Sequence, residues 1–179
     1  MTFPVGHVLF DDPTAYLWAK TSPQDLAIIS AFWGEKPVPI GKIAAALGLV
    51  VQTDSLDVNI SGHIKKVSDA PTRFEITVNV ADVAVRQRFT VAHEIGHYVL
   101  HKGLIDKEGI VDTILFRSKL SNANEVEANK LAASMLLPWN TVRTWTQTEL
   151  NCLPNAETIS VIAKAFKVSE LTVGFRFGF

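Results

Sequence analysis

The chain holds a single cysteine, Cys152, among its 179 residues. An internal disulfide is excluded, and a reducing compartment is expected. No cationic residue stands beside it in "ELNCLPN", so it reads as a small buried hydrophobe and not as a reactive thiol. Long apolar runs are missing as well. The longest, such as "LAII" and "AFW", fall far short of the roughly 20 residues a membrane-spanning helix needs. "MTFPVGHVLFDDPT" has no basic stretch leading into an apolar one, so no secretory leader is expected, and the cytoplasm is the expected location. Neither sign of charge dominates: 17 Lys and Arg face 18 Asp and Glu, for a net charge of −1. A global pull toward nucleic acid is thereby excluded. Repeats, low-complexity tracts and long linkers are absent too.

What is present is a chain that is 47% apolar, with a mean hydropathy of +0.19. At this length one compact domain, or one domain plus a small appendage, can bury a sizeable core. The high apolar content implies either a large core or a surface that meets a partner.

Periodicity supplies the elements. "PQDLAIISAFW", residues 23–33, opens with Pro and carries a helical apolar stripe. Residues 40–47 read as a helix stopped by Gly48, with a strand from Leu49. "LDVNISGHIKKV" alternates around Ser61 and Gly62, a turn or bulge signal. "TRFEITVNV" places Phe74, Ile76, Val78 and Val80 on one face and Arg73, Glu75, Thr77 and Asn79 on the other, the pattern of a half-buried strand. A helix from Arg86 to His101, ended by Gly103, follows. Residues 103–120 read as irregular. A second strong helix runs from Asn124 to Leu137 and ends at Pro138. Another, capped by Asn140 or Thr141, comes next, and the tail from Asn155 reads as two short helices. Helix, a few antiparallel strands, then a run of helices make an α+β domain.

Three of the five histidines fall at four-residue intervals in "RFTVAHEIGHYVLH". His93, Glu94 and His97 form H-E-x-x-H, expected by chance in about one such chain in a hundred. Residues four apart share a helix face with about 6 Å of rise between them, so two imidazoles so placed reach one ion. Glu94 flanks the pair and is left free to handle a proton, the arrangement of a zinc hydrolase. Such a site needs a third ligand and an open position. A histidine behind a glycine turn is excluded, because position 100 is Leu and position 103 is Gly. His101 lies about 12 Å of rise beyond His93 and suits a supporting role instead.

A carboxylate from a second helix is the remaining source. "NEVEANKLAASMLLP" offers Glu125 and Glu127. Glu125 is favoured because Asn129, four residues on, shares its face and can reach a ligand imidazole. Glu127 points about 200° away. Ala128, Ala132 and Ala133 keep this helix thin enough for close approach. For the oxyanion, Tyr98, Arg86 and Arg88 are near in sequence, and the spacing selects none of them.

The paired segments "RFTVAHEIGHYVLH" and "EVEANKLAASMLLP", with "IAAALGLVVQT", "SGHIKK" and "FEITVNV" upstream, resemble the ImmA/IrrE family of metallo-endopeptidases over roughly residues 35–140. One departure is Leu131, where many members carry Phe. The resemblance implies that His93 and His97 are zinc ligands, with manganese as the other candidate metal. It implies that Glu94 is the catalytic carboxylate and that a Glu of "EVEAN" is the third ligand. It implies a small antiparallel sheet on a zinc-peptidase core, and a substrate that is a helix-turn-helix repressor of stress-response or mobile-element genes. The expected organisation is an N-terminal helical segment over residues 1–34, the metallopeptidase domain over 35–140 and a C-terminal helical segment over 141–179.

That last segment has the cadence of a helix-turn-helix: a helix through Phe166, a turn at Lys167 and Val168, then Ser169 as a cap. The second helix is too apolar to read base edges, with Leu171, Val173, Phe175, Phe177 and Phe179 around Glu170, Thr172 and Arg176. Nucleic acid is not the expected partner; helix packing or a protein partner is. The rival readings are a protein-binding, antitoxin-like regulator with a structural metal site, and a DNA-binding transcription regulator that uses the tail.

Overall fold

Ser22 ahead of Pro23 is a helix start in chemical terms: the hydroxyl accepts from the Asp25 amide, and Pro occupies a position whose N–H would be unused. This and the other local signals are realised in a computed structural model that describes residues 11–69, 72–108, 110–112 and 122–179. The chain order is α1 (Ala15–Trp18), α2 (Pro23–Ser30), α3 (Ile40–Ala46), β1 (Leu49–Asp54), β2 (Gly62–Asp69), β3 (Thr72–Asn79) and α4 (Ala84–Glu108). Then come β4 (Ile110–Asp112), α5 (Asn122–Leu136), α6 (Trp139–Leu150), a 3-10 turn (Ala156–Thr158), α7 (Ile159–Phe166) and α8 (Glu170–Phe177). The class is α+β. Gly48, at φ +77°, ends α3 and turns the chain into β1, as its place in the sequence implied.

The sheet has the order β1-β3-β2-β4 and is mixed, not wholly antiparallel. β2 pairs antiparallel with β3 and β4, whereas β1 runs parallel to β3. The cause is the connection after β1, which crosses the end of β3 and delivers β2 on its far side. The Asn79 amide holds that connection, reaching the carbonyls of Leu56, Asp57 and Ile60 at 3.2, 3.3 and 2.8 Å. Asn79 and Thr77 are therefore buried, where alternation alone put them on a solvated face. Val80, assigned by alternation to the core face, lies past the strand's end and is exposed. Ser61 and Gly62 form neither turn nor bulge within a strand. Gly62 begins β2, and the register shift falls between Lys66 and Ser68. A Cβ on Gly62 would lie 2.4 Å from the Thr77 carbonyl oxygen and 2.6 Å from the Thr90 methyl, so α4 sits down on the sheet only over glycine.

Gly103 does not end α4. The helical backbone breaks two residues earlier, at His101 (φ −126°, ψ 20°), and resumes to Glu108. Part of the stretch expected to be irregular is thus helix and strand, because β4 finds a ready edge on β2. Residues 109 and 113–120 of it lie outside the described residues. α6 starts at Trp139 behind an extended Pro138, not at an Asn140 or Thr141 cap. The Thr141 hydroxyl instead donates to the Trp33 carbonyl at 2.7 Å.

One apolar cluster takes in Leu17 and Trp18 of α1, Ile43 of α3, Ile64 and Ile76 of the sheet, Ile95 of α4, Leu131, Met135 and Leu136 of α5, and Ile162, Phe166 and Val173 of the tail. Tryptophans anchor it: Trp18 meets Trp33 edge-on at 5.0 Å, and Trp145 meets Phe166 at 5.5 Å. The tail folds as its cadence implied, with Lys167 at φ +53° and the Ser169 hydroxyl accepting from the Thr172 amide. Its Arg176 is buried. It donates to the Leu137 carbonyl at 3.0 Å and to Asp12 Oδ2 at 2.7 Å, so it joins the first described segment to the last. Removing that cation would strand a buried carboxylate. Arg176→Met is expected to lower stability by about 3–5 kcal/mol in urea unfolding, and Asp12→Ala added to it is expected to recover most of the loss.

Candidate metal centre

In the regular part of α4, His93 and His97 lie one turn apart and face the same way, 7% and 1% exposed. Their Nε2 atoms are 3.0 Å apart. α5 crosses α4 at Gly96, where a Cβ would stand 3.1 Å from the Ala128 carbonyl oxygen. The alanines foreseen as a thin face, Ala128, Ala132 and Ala133, are fully buried. One turn before Ala128, in the first turn of α5 where the helix dipole favours an anion, Glu125 reaches over. Its Oε2 is 3.5 Å from His93 Nε2 and its Oε1 is 3.3 Å from His97 Nε2.

The donor set fits a divalent cation. Bonds of about 2.0–2.1 Å arranged tetrahedrally put ligand atoms about 3.3 Å apart, and the three separations are 3.0, 3.3 and 3.5 Å. Two imidazoles and one carboxylate leave the fourth position open. Among the described residues, His93, His97 and Glu125 form the one cluster whose ligand atoms converge in this way.

The outer nitrogens have their own partners. His93 Nδ1 lies 3.0 Å from Asn129 Oδ1, as the i, i+4 relation of Glu125 and Asn129 implied. An N–H on Nδ1 leaves the Nε2 lone pair for a metal. His97 Nδ1 lies 3.1 Å from His101 Nδ1. Glu127 does not reach the imidazole pair; it stands by His101, one turn further along α4. Its Oε2 is 3.5 Å from His101 Nε2, and Lys20 Nζ contacts its Oε1 at 2.5 Å. Burial, and then the neighbouring His97, hold the His101 imidazole below its ordinary pKa, while the hydrogen bond from Lys20 holds the Glu127 carboxyl below its own.

Glu94 is 1% exposed, and neither of its carboxylate oxygens makes a full hydrogen bond among the described residues. Burial pushes its carboxyl up to about 7. His97 pulls it down, the Glu125 charge adds to the rise, and the Ile64 backbone N–H on β2 pulls it down least. A carboxyl balanced near neutrality is suited to taking and returning a proton. Tyr98 packs edge-on against Phe74 at 5.3 Å, with its hydroxyl 3.4 Å from Lys102 Nζ. Arg86 bonds Ser61 and Asp82, and Arg88 donates to the carbonyls of Lys167 and Val38. Both arginines serve as structural ties.

Sequence reasoning missed Gly96 and Lys20. Gly96 carried a usable signal, since a glycine inside a strong helical pattern often marks close backbone approach. Lys20, 107 residues from Glu127, carried none.

The family model of the IrrE N-terminal-like domain, a peptidase family, matches residues 44–177. Among solved structures, a Mycobacterium tuberculosis transcriptional regulator is similar at 17% identity and a TM-score of 0.55, covering 98% of this chain and 52% of that one. At that identity the likeness shows a shared fold, and this chain spans about half the length of that protein. No curated protein matches.

The close crossing of α4 and α5 generates a direct expectation. Gly96→Val must push α5 away and carry the Glu125 carboxylate with it. Zinc affinity, measured by competition with a chromophoric chelator, is expected to fall at least about tenfold while the far-ultraviolet circular dichroism retains its helical form.

Proposed function

The chain belongs to the IrrE N-terminal-like domain family of peptidases, and from that premise we propose that it is a metal-dependent endopeptidase that cuts a protein regulator in the cytoplasm. The observation that carries this reading is the convergence of His93 Nε2, His97 Nε2 and the Glu125 carboxylate beside a buried Glu94. His93, His97 and Glu125 hold the cation. Two imidazoles with a single carboxylate favour zinc, with manganese second. The bound cation supplies Lewis acidity toward the attacking water and the scissile carbonyl.

The chain's own residues do the rest. Glu94 accepts the proton of the water as its oxygen bonds to the carbonyl carbon. It returns that proton to the departing amide nitrogen as the C–N bond breaks. Asn129 and His101 hold the two imidazoles in orientation from behind. By the family resemblance the substrate is a helix-turn-helix repressor. No helix among the described residues is long and apolar enough to cross a membrane, in keeping with a substrate met in solution.

The DNA-binding alternative draws on the helix-turn-helix cadence of α7 and α8. Against it, Arg176, the basic residue of α8, is buried on Asp12, while that helix exposes Leu171 and Phe175 beside the acidic Glu170. A protein partner suits such a surface better than a phosphate backbone does.

The test uses the purified, zinc-loaded chain and the helix-turn-helix regulator encoded nearest to its own gene. Cleavage is expected to appear as two new fragments by mass spectrometry. Glu94→Gln is expected to slow it by about 10²–10⁴-fold with one metal per chain retained. A stable complex that neither protein cleaves would turn the reading toward an antitoxin-like binder. Cleavage by Glu94→Gln at the wild-type rate would remove Glu94 from the chemistry.

A further inference from the structure

The contacts of His97 run outward from the metal centre to the surface. Its Nδ1 faces His101 Nδ1 at 3.1 Å, His101 Nε2 stands 3.5 Å from Glu127 Oε2 in a charge contact short of a full hydrogen bond, and Glu127 Oε1 meets Lys20 Nζ at 2.5 Å. A neutral imidazole has one N–H and one lone pair. Two Nδ1 atoms at hydrogen-bond distance therefore share one proton, and the row has two registers. In one, His97 carries its hydrogen on Nδ1 and offers Nε2 as a lone pair. In the other, His101 donates to His97, and the His97 hydrogen sits on Nε2, pointing among the donors that a metal needs.

The two registers differ at both ends. In the second, the hydrogen on His97 Nε2 faces Glu125 Oε1 and His93 Nε2, 3.3 and 3.0 Å from that nitrogen, acceptors that favour this register until a cation takes the place of the hydrogen. When His97 donates, His101 must accept on Nδ1 and so carries its hydrogen on Nε2, facing Glu127. A carboxylate opposite Nε2 stabilises a hydrogen there and disfavours a lone pair. Lys20 holds that carboxylate in place. Glu127 shares α5 with Glu125 and lies outside the converging donor set, so the same helix supplies one acidic side chain to the imidazole pair and another to His101 behind it. Lys20 follows α1, outside the segment that bears H-E-x-x-H, so the chain's first part is joined to the site's chemistry.

We infer that Lys20, Glu127 and His101 form a positioning chain that biases His97 toward the Nδ1–H tautomer, against the pull of Glu125 and His93 on its Nε2, and so frees the Nε2 lone pair for the cation. The inference rests on the metal-centre reading above, and it assigns Glu127 a role distinct from that of a ligand. Lys20 is the more exposed member of its pair, at 50% against 24% for Glu127, so its removal is expected to matter less than removal of Glu127.

Two measurements test this on the full chain. Chelator competition is expected to show zinc binding weakened about tenfold or more in Glu127→Ala, less in Glu127→Gln, which keeps an acceptor oxygen, and severalfold in Lys20→Met. The double variant Lys20→Met/Glu127→Ala is expected to bind no more weakly than Glu127→Ala alone, since Lys20 acts through Glu127. In the metal-free protein, long-range ¹H–¹⁵N spectra of the imidazoles are expected to report a larger share of the His97 Nδ1–H tautomer in the wild type than in Glu127→Ala, where the balance shifts toward Nε2–H. A zinc affinity within twofold of wild type in Glu127→Ala, with the His97 tautomer unchanged, would overturn the chain. A wild type that binds no zinc would overturn the metal-centre reading instead, and the tautomer spectra, which need no metal, would then judge the chain alone.

Discussion

The architecture depends on two helices meeting at backbone contact. A Cβ on Gly96 of α4 would press on the Ala128 backbone of α5, 3.1 Å from its carbonyl oxygen and 3.3 Å from its Cα. That approach lets a carboxylate on one helix reach a pair of imidazoles on the other. Ordinary side chains at the crossing would hold the axes about 8–10 Å apart and leave Glu125 short of the pair. The rest of the fold keeps the contact closed. The sheet supports α4 from one side through Ile64 and Ile76, and the buried face of α5, with Leu131, Met135 and Leu136, packs into the common core.

A polar cluster placed this deep has to be oriented from outside, because each misdirected hydrogen costs far more in a buried site than in water. Asn129 takes the outer nitrogen of His93, and His101 takes that of His97. Glu94 is the exception, a carboxyl enclosed under β2 and kept from full ionisation chiefly by its loss of solvent. A side chain so held contributes little to stability. What it offers is a proton acceptor close to neutrality.

The flanking segments are structural partners of this centre. Lys20 binds Glu127, Lys130 approaches the Tyr16 hydroxyl at 3.5 Å, and Arg176 joins Asp12 to the end of α5. The helix pair of the tail buries Ile162, Phe166 and Val173 in the core, while Leu171, Phe175 and Phe179 remain exposed. The tail has the backbone cadence of a helix-turn-helix, and Ile162, Phe166, Val173 and Arg176 are the side chains it commits to packing.

Much of this was legible in residue spacing, because the governing rules are local. A four-residue interval puts His93 and His97 on one face of any helix, and the same interval ties Asn129 to Glu125. Gly48, Ser169 and the Lys167 turn act on their own backbone, so they read true without neighbours. What escaped depended on parts distant in sequence. The parallel pairing of β1 and β3 is set by a connection held on Asn79, and the burial of Thr77 by strands that alternation does not see. The break at His101 and the junction of Lys20 with Glu127 belong to the same group. The sequence by itself determined which side chains share a face. Only the tertiary structure decided which faces meet, because the distance between two helices follows from the packing of every residue between them.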